Sequence, residues 1–359
     1  MRGWVVTVVG VMILAGAAGV AREASAPEPY KVLRTARVGG EGGWDYIYAD
    51  PAGRRLYIPR GAAQAASARL TVFDLDTLKP VGNIDDAGGH GTAVDPKSGH
   101  GFVSGKPVTM FDTTTLTVIK KIDVGDAAPD GILFDAFDER VYIFSHPTKN
   151  ATVIDAKDGT VLGTIALGGV PEEGAVDGLG RLYVVMQDPE GSVTVVDVRS
   201  MKATAHYPLG DRGHCNGLAL DAKNGVLFAA CAQSGNPPAE PPQPMMVILR
   251  ASDGKVITSL PLPGGSDGAT FNPSTMEAFA TLGTGVLTVV KETSPTTFEV
   301  EQNLHTMPGA RTIAFDSRTN HIFTMSDERG PAPPPPAGGG RGPRPPAVPG
   351  SFTILEIGR

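Results

Sequence analysis

The chain has 359 residues, 41% of them hydrophobic, with 46 Gly, 31 Pro and only 6% aromatics. That is ample apolar material for a core, and the balance favours many short strands and tight turns over long helices. The formal net charge is −7, so no general positive field attracts phosphate backbones and nucleic acid is not an expected partner.

The first segment reads as a targeting signal. Arg2 supplies a positive start, Trp4 to Val20 is an uninterrupted run of apolar and small residues, and Ala24-Ser25-Ala26 has the small-x-small pattern of a cleavage site. Residues 1–26 are therefore expected to be a signal peptide, and 27–359 a single exported domain, periplasmic or secreted, with no integral membrane span after cleavage. No Cys follows the apolar run, which argues against a lipid anchor.

Beyond that point the sequence repeats itself. Apolar segments ending in Asp or Asn recur at Asp50, Asp95, Asp135, Asp177, Asp221, Asn272 and Asp316, at intervals of 45, 40, 42, 44, 51 and 44 residues. This is the period of a propeller blade and exceeds that of leucine-rich or ankyrin repeats. Each unit continues with a second strand such as RLYIP, RVYIF or RLYVV, then an alternating third such as LTVFDL or VTVVDV, and a fourth such as PVGNI or KVITSL. Four antiparallel strands per unit can bury their faces only against neighbouring units. The predicted fold is all-β, a seven-bladed β-propeller. Lys31 to Ala36 reads as a fourth strand and Phe352 to Ile357 as a third, so the N-terminal strand should complete the last blade and close the ring.

The P-x-G start, the LYV-type second strand and the V-x-V-I-D third strand resemble the YVTN or YncE-like group of secreted seven-bladed propellers, from Tyr30 to the C-terminus. The resemblance implies the fold and an exported location. It carries no catalytic residues, because what the group shares is the blade itself.

Candidate functional residues come from the position five before each terminal Asp or Asn. That position holds Asp45, His90, Asp130, Glu172, Asn216, Asp267 and Arg311, a polar ring at one mouth of the channel if the first strand of each blade is innermost. Two long Pro-rich inserts, 234–244 and 329–350, should rise from the same face, bringing Arg329, Arg341 and Arg344 over the mouth. Asp45, His90, Asp130, Glu172 and Asp267, with His214 nearby, are the donors a divalent metal ion would use if they converge. Cys215 and Cys231 face each other across a hairpin centred between Lys223 and Asn224. In an oxidising compartment they are expected to form a disulfide.

The Asp residues ending third strands, Asp74, Asp112, Asp155 and Asp197, read as turn formers. Tyr57, Tyr142 and Tyr183 share one blade position and read as packing residues, while His100 and His321 are expected on the opposite, solvated face. The expected function is a monomeric binding or scaffold module whose small-molecule or periplasmic protein ligand sits at the mouth. The alternatives are a metal-assisted hydrolase or lyase at the same place, with His90 or His214 as base and Arg311 holding an anionic substrate, and an accessory subunit of a periplasmic redox enzyme.

Overall fold

In the computed structural model the described residues are 28–359, apart from 64, 65, 126, 235–238, 332 and 334–344, together with 1, 3 and 4. The rest of the expected signal segment, the middle of the blade-seven insert and part of the blade-five insert lie outside them. Among the described residues there are seven four-stranded antiparallel sheets, and no helix is long and apolar enough to cross a membrane. Blade 1 begins at strand Tyr48–Asp50, blade 2 at Thr92–Asp95, blade 3 at Pro129–Asp135 and blade 4 at Pro171–Val176. Blades 5, 6 and 7 begin at Arg212–Asp221, Ser266–Asn272 and Ala314–Asp316.

The ring closes as the chain ends predict. Lys31–Arg37 is the outermost strand of blade 7 and pairs antiparallel with Thr353–Gly358, with Lys31 opposite Gly358 and Arg37 opposite Thr353. Tyr30, just before it, buries its ring against Phe279 and donates its hydroxyl to Glu277 Oε2 at 2.6 Å.

The repeated Asp or Asn has one physical job. In all seven blades its Oδ1 accepts the backbone N–H two residues on, from Ala52 N at Asp50 to Arg318 N at Asp316, at 2.7–3.0 Å. This Asx turn sets the hairpin into the second strand, which is why the residue marks the period. The third-strand aspartates act alike. Asp74, Asp112, Asp155 and Asp197 each accept backbone N–H groups of the following turn.

The core is divided among the seams. Among the described residues there are seven clusters of buried side chains, each shared by two adjacent blades: Leu70, Tyr57 and Phe111 between blades 1 and 2, for example, and Phe323, Ile354 and Leu56 between blades 7 and 1. Tyr142 and Tyr183 lie in the seams between blades 3 and 4 and between blades 4 and 5. Each large apolar side chain removed from water there contributes about 1.5–3 kcal/mol, so the closed ring is held by packing, independently of the polar mouth. His100 and His321 are half-buried rather than solvated: His100 Nδ1 lies 3.1 Å from Ala156 O, and His321 Nδ1 lies 2.8 Å from Glu356 Oε1.

Bulges re-aim the innermost strands. Their pairing with the second strand slips between Pro129 and Ile132, between Pro171 and Gly174, between Cys215 and Gly217, and between Ser266 and Gly268. Extra residues on one strand bend it and turn its side chains off the regular alternation. The residues so displaced are Asp130, Glu172, Glu173, Asn216 and Asp267. Glycine follows because inner strands nearly touch: a Cβ on Gly131 would fall 2.6 Å from Glu172 O, and one on Gly217 would fall 2.9 Å from the Gly268 carbonyl carbon.

Cys215 and Cys231 are joined, with an S–S distance of 2.04 Å, and both are fully buried in the seam between blades 4 and 5. Leu220 pairs with Leu227 and Gly217 with Ala230, but Cys215 pairs with Cys231, one step out of that register. The bulge at Asn216 accounts for the step.

Candidate functional site

The polar mouth is a chain of hydrogen bonds and ion-pair contacts that visits every blade. Asn216 of blade 5 donates through Nδ2 to Asp267 Oδ1 of blade 6 at 3.0 Å. Arg311 of blade 7 bridges onward, its Nε 2.6 Å from Asp267 Oδ2 and its Nη2 3.3 Å from Asp45 Oδ1 of blade 1. His90 of blade 2 places Nδ1 2.8 Å from Asp45 Oδ2 and 3.3 Å from Asp130 Oδ1 of blade 3. His146, also of blade 3, places Nε2 2.8 Å from Asp130 Oδ2 and 3.4 Å from Glu172 Oε1 of blade 4. Tyr46 donates its hydroxyl to Glu172 Oε2 at 3.0 Å, and Gln187 Nε2 donates to Glu172 Oε1.

A deeper contact spans the remaining step from blade 4 to blade 5. Glu173 Oε2 accepts from Leu218 N at 2.7 Å and from Ala269 N at 3.0 Å, tying blade 4 to blades 5 and 6. Glu173 also lines an axial cavity of about 270 Å³, whose walls include Tyr46, Tyr48, Thr92, Thr270 and Phe315.

Burial and crowding set the electrostatics. Burial, reinforced by the Asp130 charge, pushes the Glu172 carboxyl up to about 7, and burial pushes Glu173 up to about 8. Burial also raises Asp267, although Arg311 opposes it. The hydrogen bond to Asp45 raises His90, and that to Asp130 raises His146, since each carboxylate favours the imidazolium. The mouth thus combines acidic oxygens with imidazole and carboxyl groups that hold their protons more tightly than they would in free solution. Such a set can exchange protons for a cation or receive a ligand rich in donors.

Of the residues expected from sequence, Asp45, His90, Asp130, Glu172, Asn216, Asp267 and Arg311 all join the chain. His214 does not enter it: its backbone N–H donates to Asp188 O, and its φ is +50° in the bulged region beside the disulfide. Asp267 is engaged by Arg311 and Asn216 and lies outside the two groups of donors that converge, which are Asp45 with His90 and Asp130, and Asp130 with His146 and Glu172. Arg329 pairs with Asp327 at 2.6 Å; Asp327 in turn lies 3.4 Å from Trp44 Nε1, and the Trp44 ring has the Arg311 guanidinium 5.5 Å from its centroid. The base of the Pro-rich insert is therefore linked to the ring, while Arg341 and Arg344 lie outside the described residues.

His146, Gln187, Glu173, Tyr46 and Trp44 were not anticipated. The repeat marks one residue per innermost strand, whereas His146 and Gln187 follow the second strands Arg140–Ser145 and Arg181–Met186. Those two positions correspond between adjacent blades and open onto the mouth, so the same alignment carries the signal.

Comparison with known proteins supports the fold. No protein-family model matches the chain, and no curated sequence matches it. Among solved structures it is similar to a chain of Kuenenia stuttgartiensis hydrazine synthase, with a TM-score of 0.67, 17% identity, and coverage of 79% of this chain and 92% of that one. It is also similar to U3-55K (TM-score 0.69, 10% identity, 91% and 98% covered) and to the RRP9 WD40 repeats (0.68, 10%, 91% and 97%). At such identities the likeness is one of fold alone.

Proposed function

We propose that the protein is an exported binding module of the YVTN or YncE-like kind, taking a small-molecule or periplasmic protein ligand at the polar mouth. The observation that carries this reading is the chain of side chains from Asn216 to Glu172, contributed by all seven blades and converging on one opening. The ring does not need these groups to close, because each seam has its own apolar cluster. Carboxylates drawn out of water without a packing role mark a site where they meet something else. Export is supported by the N-terminal pattern and by the Cys215–Cys231 bond, which suits an oxidising compartment.

The test is a thermal-shift survey of the mature protein against divalent cations, amines, polyols and organic acids, repeated on Arg311→Gln and Asp267→Asn. On the opposite face, Lys223→Gln serves as control. Responses lost in the mouth variants and kept in the control support the reading; responses equal in all of them would move the function elsewhere, most directly to the Pro-rich inserts. N-terminal sequencing of protein recovered from the periplasm should begin at Pro27, and a retained Met1 would contradict export by signal cleavage.

A further inference from the structure

The two converging donor groups share one residue, and they share it in a particular way. Asp130 turns Oδ1 toward His90 Nδ1, 3.3 Å away, and Oδ2 toward His146 Nε2, 2.8 Å away. Asp45 Oδ2 completes the first group, 2.8 Å from His90 Nδ1, and Glu172 Oε1 completes the second, 3.4 Å from His146 Nε2. Within each group the donor atoms lie inside 4.8 Å of one another. Asp130 Oδ1 is buried and makes no hydrogen bond, so this oxygen is drawn out of water with only the ion-pair contact to His90 beside it.

Resting on the mouth being the ligand seat, we propose that it takes two divalent first-row transition cations, bridged by the Asp130 carboxylate. One would be held by Asp45, His90 and Asp130 Oδ1, the other by Asp130 Oδ2, His146 and Glu172. The spacing fits. Nitrogen and oxygen donors at about 2.0–2.2 Å from an ion stand about 2.9–3.5 Å apart along the edge of its coordination shell, close to the separations already present. The chemistry fits as well, since an imidazole in each set favours zinc or manganese over calcium, which prefers oxygen alone.

Charge balance is reasonable. Three carboxylates and two neutral imidazoles against two dications leave +1, and Arg311 is offset by Asp267. With three protein donors each, both ions keep positions for water or for atoms of a bound ligand. Gln187 and Tyr46, both on Glu172, act as positioning residues that fix its oxygens.

The experiment is calorimetric titration of the chelator-treated mature protein with Zn²⁺ and separately with Mn²⁺, together with metal analysis after desalting. Two equivalents are expected. His90→Ala and His146→Ala should each lose one equivalent, and Asp130→Asn should weaken both by at least about tenfold, the scale of losing a ligand's support. Circular dichroism and melting curves confirm that each variant folds. Should Asp130→Asn not fold, the two histidine variants carry the test alone.

No binding, a single equivalent, or two equivalents unaffected by either histidine change would overturn the proposal, as would binding of Ca²⁺ in preference to Zn²⁺ and Mn²⁺. If no cation binds but a metal-free ligand still depends on Arg311, the mouth remains the ligand seat and only the metal assignment falls. If neither is seen, both fall.

Discussion

Removing the Cys215–Cys231 bond should cost about 3 kcal/mol of unfolding free energy. The closed loop spans a sequence separation of 16, and the loss of loop entropy in the unfolded chain for that length is about 10 cal/mol/K, or about 3 kcal/mol at 25 °C. The perturbation is Cys215→Ala with Cys231→Ala, which avoids burying new hydroxyls at two fully buried positions. In the folded protein the hairpin keeps its backbone pairing from Gly217 opposite Ala230 to Asp221 opposite Val226, so the ring should stay closed. The assay is urea unfolding followed by circular dichroism, with reversibility and coincidence with tryptophan fluorescence checked first. The midpoint should fall with little change in slope when wild type is compared under non-reducing conditions; a loss below about 1 kcal/mol would show that the crosslink constrains neither the unfolded chain nor the seam.

A chain that starts at Arg37 should bare the edge of Thr353–Gly358 and lose Tyr30 from the seam between blades 6 and 7. Melting should drop by several degrees and light scattering should rise, whereas an unchanged melt would deny the strand its closing role. Burial pushes the Glu292 carboxyl up to about 7, so it keeps a proton in the fold that the unfolded chain releases near 4.5. The contribution of Glu292 to stability is therefore full at acid pH and falls by roughly 2–3 kcal/mol as pH rises from about 4.5 through 7. Glu292→Gln, which can still accept from Asn224 Nδ2, should flatten that slope and be the more stable protein at pH 8 in urea titrations at several pH values; parallel slopes would contradict the protonated state. Arg311→Gln should cost about 1–2 kcal/mol by leaving Asp45 and Asp267 facing each other, with part of that recovered at acid pH, and a change below about 0.5 kcal/mol would show the pair to be solvated.

The fold was legible because one residue type does the same work in every blade. An Asp or Asn that closes an Asx turn every 40 to 51 residues leaves a period that survives wide variation in the strands between. The closing strand was legible from the missing fourth strand of the last unit, and the disulfide from cross-strand register. The seven ring positions also followed from the period, since a fixed offset from the turn reaches the same level of every innermost strand.

Their partners were not legible. Whether Asp267 meets a histidine or Arg311 depends on how bulges in four blades rotate the strand ends, and a bulge leaves no mark in composition. His146 sits one strand away from the ring, in the turn before Pro147, where no repeat position marks it. Glu172 and Glu173 are adjacent residues of one type, yet one faces the mouth and the other binds two backbone N–H groups inside the channel.

The most direct measurement is anomalous diffraction from crystals of residues 27–359 soaked in Zn²⁺ or Mn²⁺, with data collected on both sides of the metal absorption edge. Two peaks are predicted at the mouth, one on each side of the Asp130 carboxylate, within about 2.0–2.2 Å of Asp45 and His90 and of His146 and Glu172 respectively. An empty mouth, or peaks found only on the outer surface of the blades, would contradict the account.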